Sequence, residues 1–164
     1  MTVINGLPAH ALLLHFVVVL VPLTAVLEIV CVLWPTARRG PLLWLALISA
    51  VATMVLTPIT VDAGEWLYDL RAKPSAILQK HADLGATMTY FSAALLAAAL
   101  VLVVMRVIEN RSEKSRVVVR ATIAIMVLAV AISSMVQIYR VGDAGAQSVW
   151  GGEIARLEQS HRPG

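Results

Sequence analysis

Residues 84–105 read LGATMTYFSAALLAAALVLVVM, a stretch without a single Asp, Glu, Lys or Arg. An α-helix needs about 20 predominantly apolar residues to cross the hydrocarbon core of a bilayer, and this stretch has the required length. Lipid offers backbone N–H and C=O groups no partner, so an open chain crosses only as a helix. Residues 42–61 and 121–139 are equally free of charge, and residues 11–34 are interrupted only by Glu28. The expected fold is therefore all-α: a four-helix transmembrane bundle, threaded up-down-up-down, forming one integral membrane domain over residues 1–164.

Composition points the same way. Hydrophobic residues make up 59% of the 164-residue chain and charged residues 14%, against about 25% charged in soluble domains. The formal charge of +3 gives no basis for a nucleic-acid partner; the expected partner is the lipid bilayer. The first apolar run reads as a span and not a cleaved leader, because no Lys or Arg precedes it and it exceeds a typical h-region. The one cysteine, Cys31, lies in that run and is expected to be a buried thiol. Pro8 and Pro41 suit helix starts, while Pro22 and Pro58 should bend their spans.

Lys and Arg set the orientation. Arg38, Arg39, Arg106, Arg111, Lys114, Arg116 and Arg120 crowd the two short loops. Arg71, Lys73, Lys80, Arg140, Arg156 and Arg162 are spread over longer segments on the other face. The positive-inside rule then puts both termini on the outer face of a plasma (inner) membrane. Trp34 and Trp44 on one side, and Trp66 and Trp150 on the other, suit two interfacial belts. No internal repeat is evident. Residues 66–80 read as short interfacial helical pieces broken at Pro74. Gly142-Asp143-Ala144-Gly145 reads as a helix terminus and turn, and Val149–Gln159 as a separate short surface helix.

Three of the four histidines fall at one end of these spans. His10 and His15 open the first and His81 opens the third, and antiparallel threading brings those starts to one membrane face. Ionisable groups at membrane depth are functional candidates, and histidine is a common metal and haem ligand. On a helix His10 and His15 point about 140° apart, so they do not grip one ion together. His15 lies a turn deeper, which makes His15 and His81 the favoured pair. His161 lies in the polar tail.

Polar stripes converge on the same end: His81, Gly85, Met88, Ser92 and Ala99 in the third span, Thr53, Thr57 and Thr60 in the second, and Ser133, Gln137 and Arg140 in the fourth. Small and hydroxyl residues also let membrane helices pack closely, and packing is the first reading of the Thr and Ser residues. Glu28 is the only acid inside a span; it is expected to snorkel, to pair with Arg38 or an arginine of the third loop, or to stay protonated.

Two cofactor chemistries fit. A haem b between His15 and His81 on diagonal helices would find room at Gly85, with Met88 as a substitute ligand. A divalent metal ion would take a mixed shell from His15, His81, His10, Glu65 and Asp143. The chain has no G-x-S-x-G, H-E-x-x-H, C-x-x-C or phosphate loop, and no catalytic residue is assigned. The two functional readings are an electron-transfer component with a haem or metal site at the outer face, and a non-catalytic accessory or assembly subunit of a larger membrane complex. A small transporter or proton-linked sensor is a third. Another membrane protein, a redox partner and a second copy of the chain are the expected protein partners.

Several motifs carry a resemblance. Asn5-Gly6-Leu7-Pro8-Ala9-His10 with Leu14-His15, Thr57-Pro58-Ile59-Thr60 through Ala63-Gly64-Glu65-Trp66-Leu67, His81-Ala82-Asp83-Leu84-Gly85, and Tyr139-Arg140-Val141-Gly142-Asp143-Ala144-Gly145-Ala146 with Val149-Trp150-Gly151-Gly152 occur in that order. Together they resemble a bacterial membrane family known as domain of unknown function 2231, most of all its actinobacterial branch. The resemblance covers essentially the whole chain and implies four spans without an assigned activity. Fusion of some relatives to a Rieske iron–sulfur domain implies electron transfer. In some relatives His stands where this chain has Asp143, a departure at the fourth ligand position.

Overall fold

The computed structural model describes residues 3–4, 6–111 and 117–161. Asn5 of the opening motif and Lys114, Arg116 and Arg162 of the charge pattern lie outside the described residues. A small hairpin pairs β1 (Val3–Ile4) with β2 (Leu7–Pro8). Its turn places Gly6 at φ 81°, a conformation glycine adopts without a Cβ penalty. Helices α1 (Ala9–Leu33), α2 (Pro35–Arg39), α3 (Leu42–Asp69), α4 (Ala76–Arg111) and α5 (Val117–Ser160) follow. Trp34, in an extended conformation, separates α1 from α2, and Pro35 opens α2 at a position where its missing N–H costs nothing.

Four of these helices, α1, α3, α4 and α5, are long and apolar enough to cross a membrane. The protein is an all-α, multi-pass membrane bundle. Large apolar side chains such as Ile48, Val118 and Ile125 point outward, as they do on helices whose surroundings are hydrocarbon. Around the bundle α1 packs along α3 and α5, and α4 packs along the same two, so α1 and α4 stand diagonally opposite.

The helices outrun the apolar spans, and this corrects the sequence reading in three places. First, α3 continues to Asp69 and α4 starts at Ala76, so the only break near Pro74 is 70–75. Second, Gly142-Asp143-Ala144-Gly145 is neither terminus nor turn but the interior of α5. Glycine disfavours a helix interior by about 1 kcal/mol, but α5 packs here against the first turns of α4, and tertiary packing outweighs propensity. Third, Val149–Gln159 is the last part of the same helix.

The two helix pairs also share a pattern of burial that the sequence reading did not find. The pair α1–α3 and the pair α4–α5 carry equivalent buried positions. Along α1 and α4, Val17 matches Met88, Val21 Ser92, Thr24 Leu95, Glu28 Ala99 and Cys31 Leu102, all buried. Along α3 and α5, Ala46 matches Val127, Ala50 Ala131, Thr53 Ser134, Thr57 Ile138 and Ala63 Ala144, again all buried. Contacts between the two pairs include His10 with His81 at one end and Arg38 with Glu109 at the other. The pattern escapes simple sequence reading because matching positions share burial and seldom identity.

Candidate functional site at the histidine end

His10 and His81 come together. Their ring centroids are 6.2 Å apart and their planes cross at 84°. Each ring is seated on a helix of its own half. His10 Nδ1 donates to the Thr60 carbonyl of α3 at 2.8 Å, and His81 Nδ1 donates to the Val141 carbonyl of α5 at 3.0 Å. A carbonyl only accepts, so each neutral ring carries its proton on Nδ1 and leaves a lone pair on Nε2.

Glycine makes both seats. Four residues beyond each accepting carbonyl stands a glycine, Gly64 in α3 and Gly145 in α5. A Cβ at Gly64 would lie 2.7 Å from His10 Nδ1, and one at Gly145 would lie 2.9 Å from His81 Cε1. The bare helix surface is what lets an imidazole reach the carbonyl. The two glycines end the same tripeptide, Asp62-Ala63-Gly64 and Asp143-Ala144-Gly145, in which the alanine is buried and the aspartate exposed. His10-Ala11 and His81-Ala82 repeat likewise. Those paired tripeptides are the signal in the sequence that marks the site.

His15 stands elsewhere. It is exposed, and its Nδ1 donates to the Ala11 carbonyl of its own helix at 2.7 Å. Glu65 is exposed on α3, and the exposed Asp143 accepts from Gln147 at 2.8 Å. Among the described residues no three His, Cys, Asp or Glu side chains come together as a metal-ligand group. The shell of His15, His81, His10, Glu65 and Asp143 is thus not assembled; the structure juxtaposes its two members His10 and His81. Met88 is buried in the core, and a Cβ on Gly85 would meet nothing within 4 Å.

The polar stripes serve packing. Thr24 Oγ1 bonds Ser49 Oγ at 2.6 Å and Thr53 Oγ1 at 3.2 Å, tying α1 to α3. Thr53, Thr57 and Thr60 return their hydroxyls to the carbonyls of Ser49, Thr53 and Leu56. In α5 the buried polar residues are Ser134 and Gln137, whereas Ser133 is exposed. Gln137 Nε2 donates to the Leu84 carbonyl and to Thr87 Oγ1, tying α5 to α4.

At the opposite end Arg38 is wholly buried. It donates to the Cys31 carbonyl at 2.8 Å and grips the Glu109 carboxylate at 2.7–3.3 Å. Arg120 joins Glu109 at 3.2 Å, and Arg106 donates to the Arg38 and Gly40 carbonyls. Arg38 is therefore the partner of Glu109, which removes one of the alternatives that the sequence left open for Glu28. Cys31 is buried and free.

Compared with known protein families, residues 6–157 match the one described as "Predicted membrane protein (DUF2231)", and the chain belongs to that family. No curated protein and no solved structure matches it.

Proposed function

We propose that this member of the DUF2231 family is a plasma (inner) membrane protein whose His10–His81 pair holds a redox-active haem b or a divalent metal ion for electron transfer. Threading is up-down-up-down with both termini on the outer face, and the site lies at that face. One observation carries the reading: two seated imidazoles from different helices, 6.2 Å apart between centroids. Two imidazoles that bind one metal from opposite sides stand with centroids roughly 6 Å apart, given metal–nitrogen bonds of about 2.0 Å. The pair fits that spacing.

The hydrogen bonds behind the two rings support the same reading. Metal-binding histidines almost always donate their other N–H to a carbonyl or carboxylate, which fixes tautomer and orientation. Thr60 and Val141 supply those carbonyls. When bound, the group supplies a one-electron couple. The chain's part is to present two Nε2 lone pairs and to hold each ring by its Nδ1–H. His15 is about 140° around the helix from His10, so in this proposal His10 takes the ligand role in its place.

The test is direct. Detergent-purified protein, checked as folded and monodisperse, is scanned for a Soret band and assayed for bound metal. A Soret band or stoichiometric metal is the expected result. A folded protein that is colourless and metal-free overturns the proposal.

A further inference from the structure

Glu28 is the group that the histidine site leaves unused. Its side chain is wholly buried in α1, and neither carboxyl oxygen has a hydrogen-bond partner among the described residues. A fully buried carboxyl with no hydrogen-bond partner calls for a ligand.

The surroundings favour a proton over a metal cation. A hard cation needs six or more oxygen ligands, or near-ideal octahedral geometry. The buried Thr24 and Ser49 hydroxyls are bonded to each other, and no metal-ligand group forms among the described residues. The buried guanidinium of Arg38 is held by Glu109 and the Cys31 carbonyl. A proton needs no coordination shell, and it removes the uncompensated charge that makes a lone buried carboxylate so unfavourable. Charged and titratable groups at this end include Cys31 of α1, Arg38 and Arg39 of α2, Arg106 and Glu109 of α4 and Arg120 of α5, while α3 presents Ser49 and Thr53.

We propose that Glu28 is a membrane-buried proton-binding site, exchanging with water at the Arg38 end of the bundle. An O–H bond forms on the carboxylate when the proton arrives and breaks when it leaves; no electron changes hands. The site stands whether or not the histidines hold a cofactor. Carboxylic acids in apolar surroundings react with dicyclohexylcarbodiimide, so the full-length protein in detergent is treated with that reagent and analysed by intact mass and peptide mapping. An adduct on Glu28 that forms more slowly as pH is raised, and is lost in Glu28→Gln, is the expected result. No adduct on Glu28, or labelling indifferent to pH, overturns the proposal. A second measurement needs no variant: the infrared spectrum of the wild type should contain a buried carboxylic-acid C=O band that shifts in D2O, and its absence overturns the proposal equally.

Discussion

The imidazoles of His10 and His81 stand 6.2 Å apart between centroids with their planes crossed at 84°, although their helices stand diagonally across the bundle. Each ring gets there by leaning over a glycine of the neighbouring helix, so the meeting depends on Gly64 and Gly145 as much as on the histidines.

Those glycines should be intolerant of a methyl group. Gly64→Ala and Gly145→Ala would push Cβ to 2.7 and 2.9 Å from the rings. Overpacking of this kind costs about 1–3 kcal/mol. Gly85→Ala and Gly142→Ala meet nothing within 4 Å. They replace a helix-interior glycine, a change worth roughly 0.5–1 kcal/mol in favour of the helix. Thermal unfolding of the four variants in one detergent should give two lowered midpoints and two unchanged or raised ones.

Arg38 and Glu109 form an ion pair at the opposite end of the bundle, and breaking it should be severe. Glu109→Gln leaves the fully buried Arg38 without its counter-charge, a situation that costs about 3–5 kcal/mol. Arg120 is partly exposed where it touches Glu109, and Arg120→Ala should stay within about 1 kcal/mol of the wild type. Reversible denaturation of the two variants distinguishes a buried ion pair from a surface one.

The hydroxyl bridge between α1 and α3 should be weaker. Interhelical hydrogen bonds in membrane proteins average about 0.6 kcal/mol and reach about 1.7 kcal/mol. Thr24→Val and Ser49→Ala should each destabilise within that range. Their double-mutant cycle should show a positive coupling, because the 2.6 Å bond joins the two hydroxyls.

How much of this was legible in the sequence differs by residue. The four crossings could be read because lipid imposes a length and an apolar composition that residues 84–105 satisfy without any tertiary information. The continuation of α5 through Gly142 and Gly145 could not, because local propensity opposes it and the support comes from α4, whose His81 bonds Val141 across a separation of 60 residues. Helical geometry separates His10 from His15, but depth alone favours His15 as the partner of His81. What brings His10 to His81 is the glycine seat at Thr60–Gly64, a contact 50 residues distant. The paired Asp-Ala-Gly tripeptides were in plain view, yet a three-residue match acquires meaning only when both copies are seen to carry a histidine.

Orientation is open to a labelling experiment. In a Cys31→Ser background, Ser160→Cys and Thr36→Cys place single thiols beyond opposite ends of the bundle. An impermeant maleimide added to intact cells should label position 160 and spare position 36, as the positive-inside rule requires. The reverse pattern would place both termini inside.

The most direct test of the histidine site is the reduced-minus-oxidised optical spectrum, with metal content, of purified wild type, His10→Gln, His81→Gln and His15→Gln. A redox-active group in the wild type, lost in His10→Gln and His81→Gln and kept in His15→Gln, is the predicted result. A group that survives both His10→Gln and His81→Gln, or a folded wild type with no bound group, would contradict it.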